Sequence, residues 1–592
     1  ALDFKPFTGV DVVGIEALSL AARSDKYHVK AIKPLPRRKL YDKVPLLDCF
    51  TAPCKGGCPI HQDIPEYIEL CRKGAYASAL RLITEKNPLP FITGTICAHN
   101  CMTKCMRNYY DEPVNIRATK LVAAEKGYDA YMSKITPPAP VTDGRKVAVI
   151  GGGPTGMSAA YFVGRAGIPV TLFEKADRLG GIVRQVIPAF RISDEAIDKD
   201  VALIEKMGVE VKLNTEAPSV AELKAQGYTH IFFAVGAWKA GRLDIPGNVV
   251  PVIGWLRDMK AGKDVSLGHV AVVGGGNTAM DAARAALRAG AKSSTLVYRR
   301  TKKYMPADAE ELEMAIADGV EFLELVAPVE QKDGKLICEK MKLGDPDDKG
   351  RRKPVPTGEM VEIPCDTVVS AVGEKVESEV FTRNGITVDE KGIPAFKTNL
   401  EGVYAGGDAM RGPATVVEGI ADAQYFANAV IGEAHKFAIP AKAVATREEA
   451  VAKKGVLCES AKCEGDRCLT CNVVCQVCAD VCPNRANVVI ELPDGRQQIL
   501  HVDRMCNECG NCAVFCPYDS APYREKFTLF LTREGFDESV NNQGFLPLGG
   551  KKVLVRLDSK VFEADLDAKN DLPADIEVFI WTVLTKYAYL MG

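Results

Sequence analysis

The residues best suited to chemistry in this chain are cysteines near its carboxyl end. Eleven of its 20 cysteines fall between Cys458 and Cys516. Eight of the eleven form two runs, each closing on a Cys-Pro pair: Cys471, Cys475, Cys478 and Cys482, then Cys506, Cys509, Cys512 and Cys516. This spacing is typical of thiolates that hold two [4Fe–4S] clusters, which carry electrons one at a time.

The order of these cysteines also predicts which cluster each one binds. In paired runs the fourth cysteine of each run binds the other run's cluster. One cluster is therefore expected on Cys471, Cys475, Cys478 and Cys516, and the second on Cys482, Cys506, Cys509 and Cys512. The first run has an extra residue between its first two cysteines, so Cys468 is an alternative outer ligand to Cys471. Zinc also binds Cys-x2-Cys pairs, but two runs that each end in Cys-Pro favour iron–sulfur clusters.

Three further cysteines, Cys458, Cys463 and Cys468, precede this core without a partner set of their own. They are either spare thiols or ligands of an additional centre that is completed elsewhere in the chain.

Composition limits the other classes of function. The 592 residues predict roughly three to five domains, and a net charge of −2 gives no reason to expect nucleic acid as a partner. Cysteines at metal-ligand spacing and the lack of a signal peptide predict a reducing cytoplasm. No apolar run reaches membrane-spanning length, because Glu577 and Lys586 interrupt the segment 576–591, which is expected to be buried or to face a partner. The first residue is Ala1, which suggests a piece of a longer polypeptide.

A dinucleotide-binding unit begins at residue 146. The apolar strand 146–150 leads into a Gly-x-Gly-x-x-Gly turn and a helical pattern, and a second strand, 169–173, ends at Glu174. The glycines allow the tight turn, the approach of backbone to a pyrophosphate and close helix packing, while the acid suits a ribose hydroxyl. We predict an FAD site whose contacts include Gly151, Gly153, Pro154, Thr155, Gly156, Glu174, Arg178, Gly181 and Arg191.

The unit recurs from residue 269, with one difference. Its second strand, 295–298, ends in two arginines where the first unit has an acid. A guanidinium binds a 2′-phosphate bidentately, so the second unit is predicted to bind NADPH, with NADH as the alternative. The predicted contacts are Gly274, Gly276, Asn277, Thr278, Asp281, Arg299 and Arg300.

A third segment, 402–419, completes the predicted flavin site. It reads as a strand closing on a Gly-Gly-Asp turn, followed by a helix whose positive end would face the flavin ring. Two short pieces, 233–236 and 370–373, are the expected crossovers between the FAD domain and an inserted NADPH domain. The additional predicted contacts are Gly236, Gly373, Gly407, Asp408, Thr415 and Val416.

The cysteine-rich front end carries the clearest resemblance. Cys54-x3-Cys58-Pro, the text NPLPFITGTICAHNCMTKC, GGGPTGMSAA, GGIVRQVIPAFR and GGGNTAMD occur in one order. Over residues 45–435 the chain resembles the glutamate synthase small subunit and the front half of dihydropyrimidine dehydrogenase. With CPNRAN and MCNECGNCAVFCPY included, it looks most like flavin and iron–sulfur subunits described as selenate reductases.

The resemblance implies two front-end [4Fe–4S] clusters with interleaved ligands. Carried over, the ligands are Cys49, Cys54 and Cys105 for one cluster, and Cys58, Cys97 and Cys101 for the other. Leu46 and Lys120 stand where the family has the two fourth ligands, so one or two clusters are expected. His61 and His99 are nearby alternative ligands, and Cys71 is expected in a helical core.

Together these features predict an α/β protein with an α-helical iron–sulfur amino-terminal domain. Two Rossmann-like domains and a bacterial-ferredoxin-like α+β domain follow. The expected segments are 1–44, 45–136 (helical iron–sulfur), 145–241 with 374–437 (FAD), 242–373 (NAD(P)H), 455–526 (ferredoxin-like) and 527–592 (a docking extension).

The predicted function is transfer of electrons from NADPH through FAD to clusters, and on to a partner redox subunit, such as a molybdenum or selenium enzyme, or to ferredoxin. Transfer in the reverse direction is the alternative. A flavin links these steps because it accepts hydride and releases single electrons. The alternatives are a glutamate synthase electron donor, a disulfide reductase and an assembly scaffold with vestigial flavin sites. A disulfide reductase needs a redox-active cysteine pair beside the flavin, and only Cys338 and Cys365 lie between residues 146 and 434.

Overall fold

The computed structural model describes residues 39–47, 51–265, 267–347, 352–432, 444–539 and 542–592. Cys49 lies outside these residues. The described residues form two compact units, one of residues 137–432 and one of residues 39–136 with 444–592. No helix in the described ranges combines the length and the apolar character needed to cross a membrane.

The first unit contains a parallel sheet built on the first glycine-rich turn. Its strands, in spatial order, are Val403–Ala405, His230–Phe233, Val147–Ile150, Val170–Phe173 and Glu210–Lys212. The central strand is fully buried, as expected for a parallel sheet covered on both faces. The helices of this part are Pro154–Arg165, Gly181–Gln185, Asp194–Glu205, Val220–Ala225, Glu379–Thr382, Asp408–Arg411 and Val416–Ile431.

A second parallel sheet is formed by residues that lie, in the sequence, between strands His230–Phe233 and Val403–Ala405 of the first sheet. Its strands, in spatial order, are Val249–Pro251, Thr367–Ala371, His269–Gly274, Ser293–Tyr298 and Glu321–Glu324. Helices Val252–Lys260, Asn277–Arg288 and Ala309–Ala317 accompany it, and an antiparallel sheet is formed by Val326–Lys332, Lys335–Pro346 and Arg352–Pro364. The chain enters and leaves this region through a two-stranded pair, Lys239–Ala240 with Glu374–Lys375.

The second unit begins with a group of helices. Their core is formed by apolar side chains such as Ile64, Ile68 and Ile83. Some of these helices begin with proline in the first turn. Another begins after Asn115, whose side chain accepts a hydrogen bond from the backbone N–H of Ala118. The helices are Pro53–Gly56, Ile64–Arg72, Tyr76–Thr84, Pro90–Ile96, Asn100–Thr103 and Ile116–Met132.

The rest of the second unit is built on one mixed sheet. Its strands, in spatial order, are Asn487–Glu491, Gln497–Val502, Thr528–Leu529, Gly544–Gly549, Lys552–Leu557 and Lys560–Asp565. This sheet crosses the boundary predicted after residue 526, so the carboxyl-terminal segment continues the sheet of the ferredoxin-like part. Helix Ala574–Lys586 packs on it through Ile576, Phe579, Ile580 and Val583.

Short helices connect and flank these strands: Arg447–Ala452, Glu464–Arg467, Val477–Asp480, Asn511–Phe515, Pro522–Glu525 and Arg533–Glu538. The predicted fold class is confirmed: the first unit is α/β with two Rossmann-like sheets, and the second combines a helical front end with an α+β region.

Candidate functional site

The first glycine-rich turn is shaped by close backbone contacts. Gly151 has φ +105°, and a Cβ atom there would lie 2.5 Å from the carbonyl oxygen of Ala234. A Cβ atom at Gly156 would lie 1.8 Å from the carbonyl oxygen of Gly151. Helix Pro154–Arg165 therefore starts directly against the strand, with Gly153 as its N-cap. Its unpaired N–H groups can bind a pyrophosphate.

This turn opens into a cleft of about 640 Å³ in the first unit. That volume is in the usual range of a cofactor pocket. Ten residues predicted to bind FAD line the cleft: Gly151, Gly153, Pro154, Thr155, Glu174, Gly181, Gly236, Asp408, Thr415 and Val416. Gly156 and Gly407 lie behind it, and a Cβ atom at Gly407 would collide with the Thr155 side chain.

The structure also adds residues that the sequence motifs did not identify. Trp238, Arg257, Arg383 and Asn384 line the cleft as well. Arg257 comes from helix Val252–Lys260 of the second sheet, so side chains of both dinucleotide-binding regions face one space. Trp238 follows the predicted crossover by two residues, which is the sequence signal that could have identified it.

Glu174 is held in position by the turn itself. Its Oε2 accepts from the backbone N–H of Gly152 at 2.6 Å, and its Oε1 accepts from that of Ala176 at 2.8 Å. The side chain is buried at the end of strand Val170–Phe173. The carboxylate thus stands beside the phosphate-binding turn, as a ribose-binding acid must.

Asp408 also lines the cleft. Burial raises its pKa to about 6, opposed by the backbone N–H of Ala414, which donates to Oδ1 at 3.0 Å. The neighbouring Thr415 and Glu418 form a capping box at the start of helix Val416–Ile431. A half-buried carboxylate and a helix amino terminus fit the ribityl hydroxyls and the ring of a bound FAD.

We expect Asp408→Ala to weaken FAD binding by about tenfold or more. The carboxylate is a half-buried acceptor, and a hydrogen bond to a charged group contributes about 1.5–3 kcal/mol. Flavin content after dialysis, followed by fluorescence titration of the stripped protein with FAD, measures the change. Glu390→Ala, which removes an exposed carboxylate of the same unit, is the control. Unchanged FAD affinity in Asp408→Ala would refute this assignment.

The second glycine-rich turn has the same construction. A Cβ atom at Gly274 would lie 2.3 Å from the carbonyl oxygen of Ala371, and Gly276 is the N-cap of helix Asn277–Arg288. Asn277 is exposed and pairs with Asp308, while Thr278 is half-buried beside it. Arg299 is exposed directly after strand Ser293–Tyr298, whereas half-buried Arg300 donates to the carbonyl of Arg352 at 3.5 Å.

Some predicted contact residues have protein partners and do not line the cleft. Arg191 pairs with Asp281 at 2.6 Å and with Glu311 at 2.5 Å, and burial raises the pKa of Asp281 to about 6 against the influence of Arg191. Arg178 pairs on the surface with two aspartates, and Gly373 accepts from the N–H of Gly241. Cys338 and Cys365 are buried together, away from the cleft-lining residues.

The front-end cysteines in the described residues fall into two groups. Burial raises the pKa of Cys54 well above its usual value, and Cys105 is the thiol that contributes most to this shift. Burial also raises the pKa of Cys101, with Cys58 and Cys97 as its main thiol neighbours. This is the grouping that the family resemblance implies, and Cys71 packs against the same core.

The two departures from the family pattern have different surroundings. Burial raises the pKa of Cys58 and Cys101, and the charge of Lys120, which is 7% exposed, opposes this rise, so Lys120 lies beside the second group. Leu46 instead packs against the core of the carboxyl-terminal sheet. His99 has its Nδ1 3.2 Å from the carbonyl oxygen of Cys97, and His61 contributes a carbonyl oxygen to Lys86.

The ferredoxin-like cysteines also cluster. A small cavity beside Tyr523 is lined by Cys482, Cys506, Cys509 and Cys512. In the first run, Cys475 is the thiol neighbour that most raises the pKa of Cys471, after burial, and Cys478 is buried beside Cys512 and Ile499. Cys516 is buried with Tyr518, Leu40 and Val44. Within the described ranges no three His, Cys, Asp or Glu side chains are close enough for a single ion.

Comparison with known proteins agrees with this organisation. Residues 145–423 match the pyridine nucleotide-disulphide oxidoreductase model, and residues 45–130 match dihydropyrimidine dehydrogenase domain II, 4Fe-4S cluster. The protein YgfK of Escherichia coli is 41% identical over 98% of this chain and 59% of its own length. The beta subunit of the NADP(+)-dependent formate dehydrogenase of Moorella thermoacetica is 36% identical over 63% of this chain and 58% of that subunit.

Glutamate synthase small chains are covered over most of their own length. The glutamate synthase [NADPH] small chain of Escherichia coli is 31% identical over 65% of this chain and 89% of that protein. This chain belongs to the glutamate synthase small-chain family. The family relationship confirms the predicted cofactor classes, FAD, NADPH and a [4Fe–4S] cluster. The chain spans about three fifths of the length of YgfK and of the formate dehydrogenase subunit.

Proposed function

We propose that this chain is an electron-transfer subunit that takes electrons in pairs from NADPH and releases them singly. The observation that carries the proposal is the cleft, which is lined by the flavin-type residues Glu174 and Asp408 and also by Arg257 of the second sheet. A nicotinamide and a flavin must meet for hydride transfer, and a space shared by both dinucleotide-binding regions allows this.

The residues have distinct tasks in this proposal. The N–H groups at the start of helix Pro154–Arg165 bind the FAD pyrophosphate, and Glu174 and Asp408 hold its sugar and ribityl hydroxyls. Arg299, at the exposed end of its strand, binds the 2′-phosphate of NADPH. When bound, FAD supplies the change from two-electron to one-electron chemistry. The hydride step requires no acid–base side chain, and we assign none.

The clusters are proposed to pass electrons onward to a partner. Two clusters are assigned to the ferredoxin-like runs and one or two to the front end, on the cysteines named above. We propose domains at residues 45–136, 145–241 with 374–437, 242–373 and 455–526. Residues 527–592 are added to the last of these domains because they continue its sheet. A reducing cytoplasm suits thiolates at these spacings.

The partner is proposed to be a second redox subunit. Relatives of this chain carry names of multi-subunit enzymes, including a formate dehydrogenase beta subunit and a glutamate synthase small chain. A role as electron donor for glutamate synthesis is the second candidate, favoured by membership of that family. The ferredoxin-like cysteine runs, which add further clusters, favour a longer electron chain.

Anaerobic purification of the protein at its natural expression level, with mass spectrometry of co-purifying chains, tests the partner assignment. The expected result is a stoichiometric redox subunit with its own metal or substrate site. A glutamate synthase large subunit in its place, with NADPH-dependent formation of glutamate, would establish the second candidate. A chain that purifies alone, at full flavin and iron content, would contradict the subunit role.

A further inference from the structure

We propose that Cys468 is an iron–sulfur ligand of the front end, sharing a cluster with Cys54 and Cys105. Cys468 lies far along the chain from the other two, but it is 8% exposed and belongs to the same buried core as Tyr67 and Ile64. Cys54 and Cys105 pack against this core, and Cys105 is the thiol with the largest influence on Cys468.

The segment that carries Cys468 is fixed onto the helical front end. Helix Glu464–Arg467 ends at Cys468, and Glu464 accepts from the backbone N–H of Asn115 at 2.8 Å. Arg467 donates to the carbonyl of Glu112 at 2.6 Å and is 3.5 Å from Asp111. These contacts come from the loop between Cys105 and helix Ile116–Met132, so they hold Cys468 beside Cys105.

A second set of contacts holds the same segment further upstream. The carboxylate of Asp111 accepts from the backbone N–H of Cys458 at 2.8 Å, and Arg107 donates to the carbonyl of Val456. Gly465 allows close packing, because a Cβ atom there would lie 2.5 Å from the Cβ of Arg72. The position of Cys468 therefore depends on several independent anchors and not on one flexible side chain.

One front-end cluster lacks a ligand that the family has, and Cys468 can supply it. The family resemblance implies four thiolates for this cluster, and Leu46 stands in the place of one. Leucine cannot bind iron, and Leu46 packs against the carboxyl-terminal sheet. Thiolates are the ligands that iron–sulfur clusters use, so a buried cysteine beside Cys54 and Cys105 has the required chemistry.

Cys468 and Cys471 differ in the core to which they belong. Cys475 is the thiol with the largest influence on Cys471, followed by Cys468 and Cys105, so Cys471 lies between the ferredoxin-like run and the front end. Cys468 shares its core with front-end residues, whereas Cys478 and Cys512 share a different one. Cys468 is thus a front-end ligand and not the outer ligand of the first ferredoxin-like cluster. Such a cluster links the helical front end of the second unit to the segment before its mixed sheet, through cysteine–iron bonds.

The test is Cys468→Ala in the complete chain, purified without oxygen. Total iron, acid-labile sulfide and the EPR spectra before and after dithionite reduction are compared with wild type, because a [3Fe–4S] cluster gives its signal when oxidised and a [4Fe–4S] cluster when reduced. We expect a loss of about four iron and four sulfide per chain, or of about one iron with a new [3Fe–4S] signal. Cys338→Ala, at another buried cysteine, and Cys463→Ala, at an exposed neighbour, should keep wild-type values. Wild-type iron and EPR in Cys468→Ala would overturn the proposal.

A second variant covers the case in which Cys468→Ala does not fold. Cys468→Ser keeps an oxygen ligand, so one cluster should persist with shifted g values while the others stay unchanged. An unaltered spectrum in Cys468→Ser would also overturn the proposal, and bound FAD reports whether the first unit is folded. Because dithionite is the reductant, the result does not depend on NADPH or on a partner, and failure of the proposed function would leave it intact.

Discussion

Glu69→Gln should destabilise the second unit by about 3–5 kcal/mol, the range for removing one partner of a buried ion pair. Glu69 is 1% exposed and is paired with Arg72 and Lys453, each at 2.6 Å. Lys453 follows helix Arg447–Ala452 and is itself buried, so the variant leaves its charge without the carboxylate. Differential scanning calorimetry of the anaerobic protein should show a fall on the order of 10 °C in the transition that releases iron.

The pH dependence of the same pair has a definite sign. Although burial raises the pKa of Glu69, hydrogen bonds from Arg72 and Lys453 outweigh it and hold the pKa at about 2. A lowered folded-state pKa stabilises the protein above the ordinary value near 4.5, and this stabilisation is lost as the pH falls from 4.5 towards 2. In Glu69→Gln this part of the acid sensitivity should disappear.

The control for this prediction is Glu448→Gln. Glu448 is an exposed carboxylate on helix Arg447–Ala452, so its loss should change the transition by less than about 1 °C. The transition that releases FAD belongs to the first unit and should not move in either variant. Equal stability of Glu69→Gln and Glu448→Gln would show that the ion pair contributes nothing.

Arg299→Ala should reduce kcat/KM for NADPH by about 10- to 100-fold and leave kcat/KM for NADH nearly unchanged. One charge-assisted contact to the 2′-phosphate contributes about 1.5–3 kcal/mol, and each 1.4 kcal/mol is tenfold. Arg299 is the exposed member of the pair, and Arg300 already donates to a backbone carbonyl. Arg300→Ala is therefore expected to reduce kcat/KM for NADPH by a smaller factor than Arg299→Ala. Steady-state reduction of a dye with each nucleotide measures both.

The matched control is Lys292→Ala, at the opposite end of the same strand. Lys292 is exposed and of the same charge sign, but it precedes strand Ser293–Tyr298. Its removal should leave both nucleotides unaffected. If Arg299→Ala lowered NADPH and NADH activity by the same factor, the arginine would act on structure or on hydride transfer and not on the phosphate.

Much of the flavin site could be predicted because its motifs are local. The turn at Gly151 and the acid at Glu174 are set by strand, glycine and helix order, which a single stretch of sequence contains. Trp238 and Arg257 were missed because they reach the cleft only through the crossover and the inserted sheet. Arg191 and Asp281 were predicted as cofactor contacts from their motifs, but the structure pairs them with each other.

The cysteines also show that sequence spacing predicts local groups of residues and not contacts between distant parts of the chain. Cysteine spacing predicts which residues form the two ferredoxin-like runs. One cavity is lined by four of them, Cys482, Cys506, Cys509 and Cys512. Spacing could not place Cys468, because its neighbours Cys54 and Cys105 are more than 360 positions away. Contacts of that kind depend on side chains such as Arg467 and Asp111, which carry no recognisable pattern in the sequence.

The most direct test of the proposed electron transfer is an anaerobic titration of the purified chain with NADPH. Flavin absorbance near 450 nm and the EPR of the reduced clusters are followed in the same samples. We expect the flavin to bleach and the clusters then to become reduced, with more than one NADPH consumed per chain. Bleaching of the flavin with no cluster reduced, even after long incubation and with full iron content verified, would contradict it.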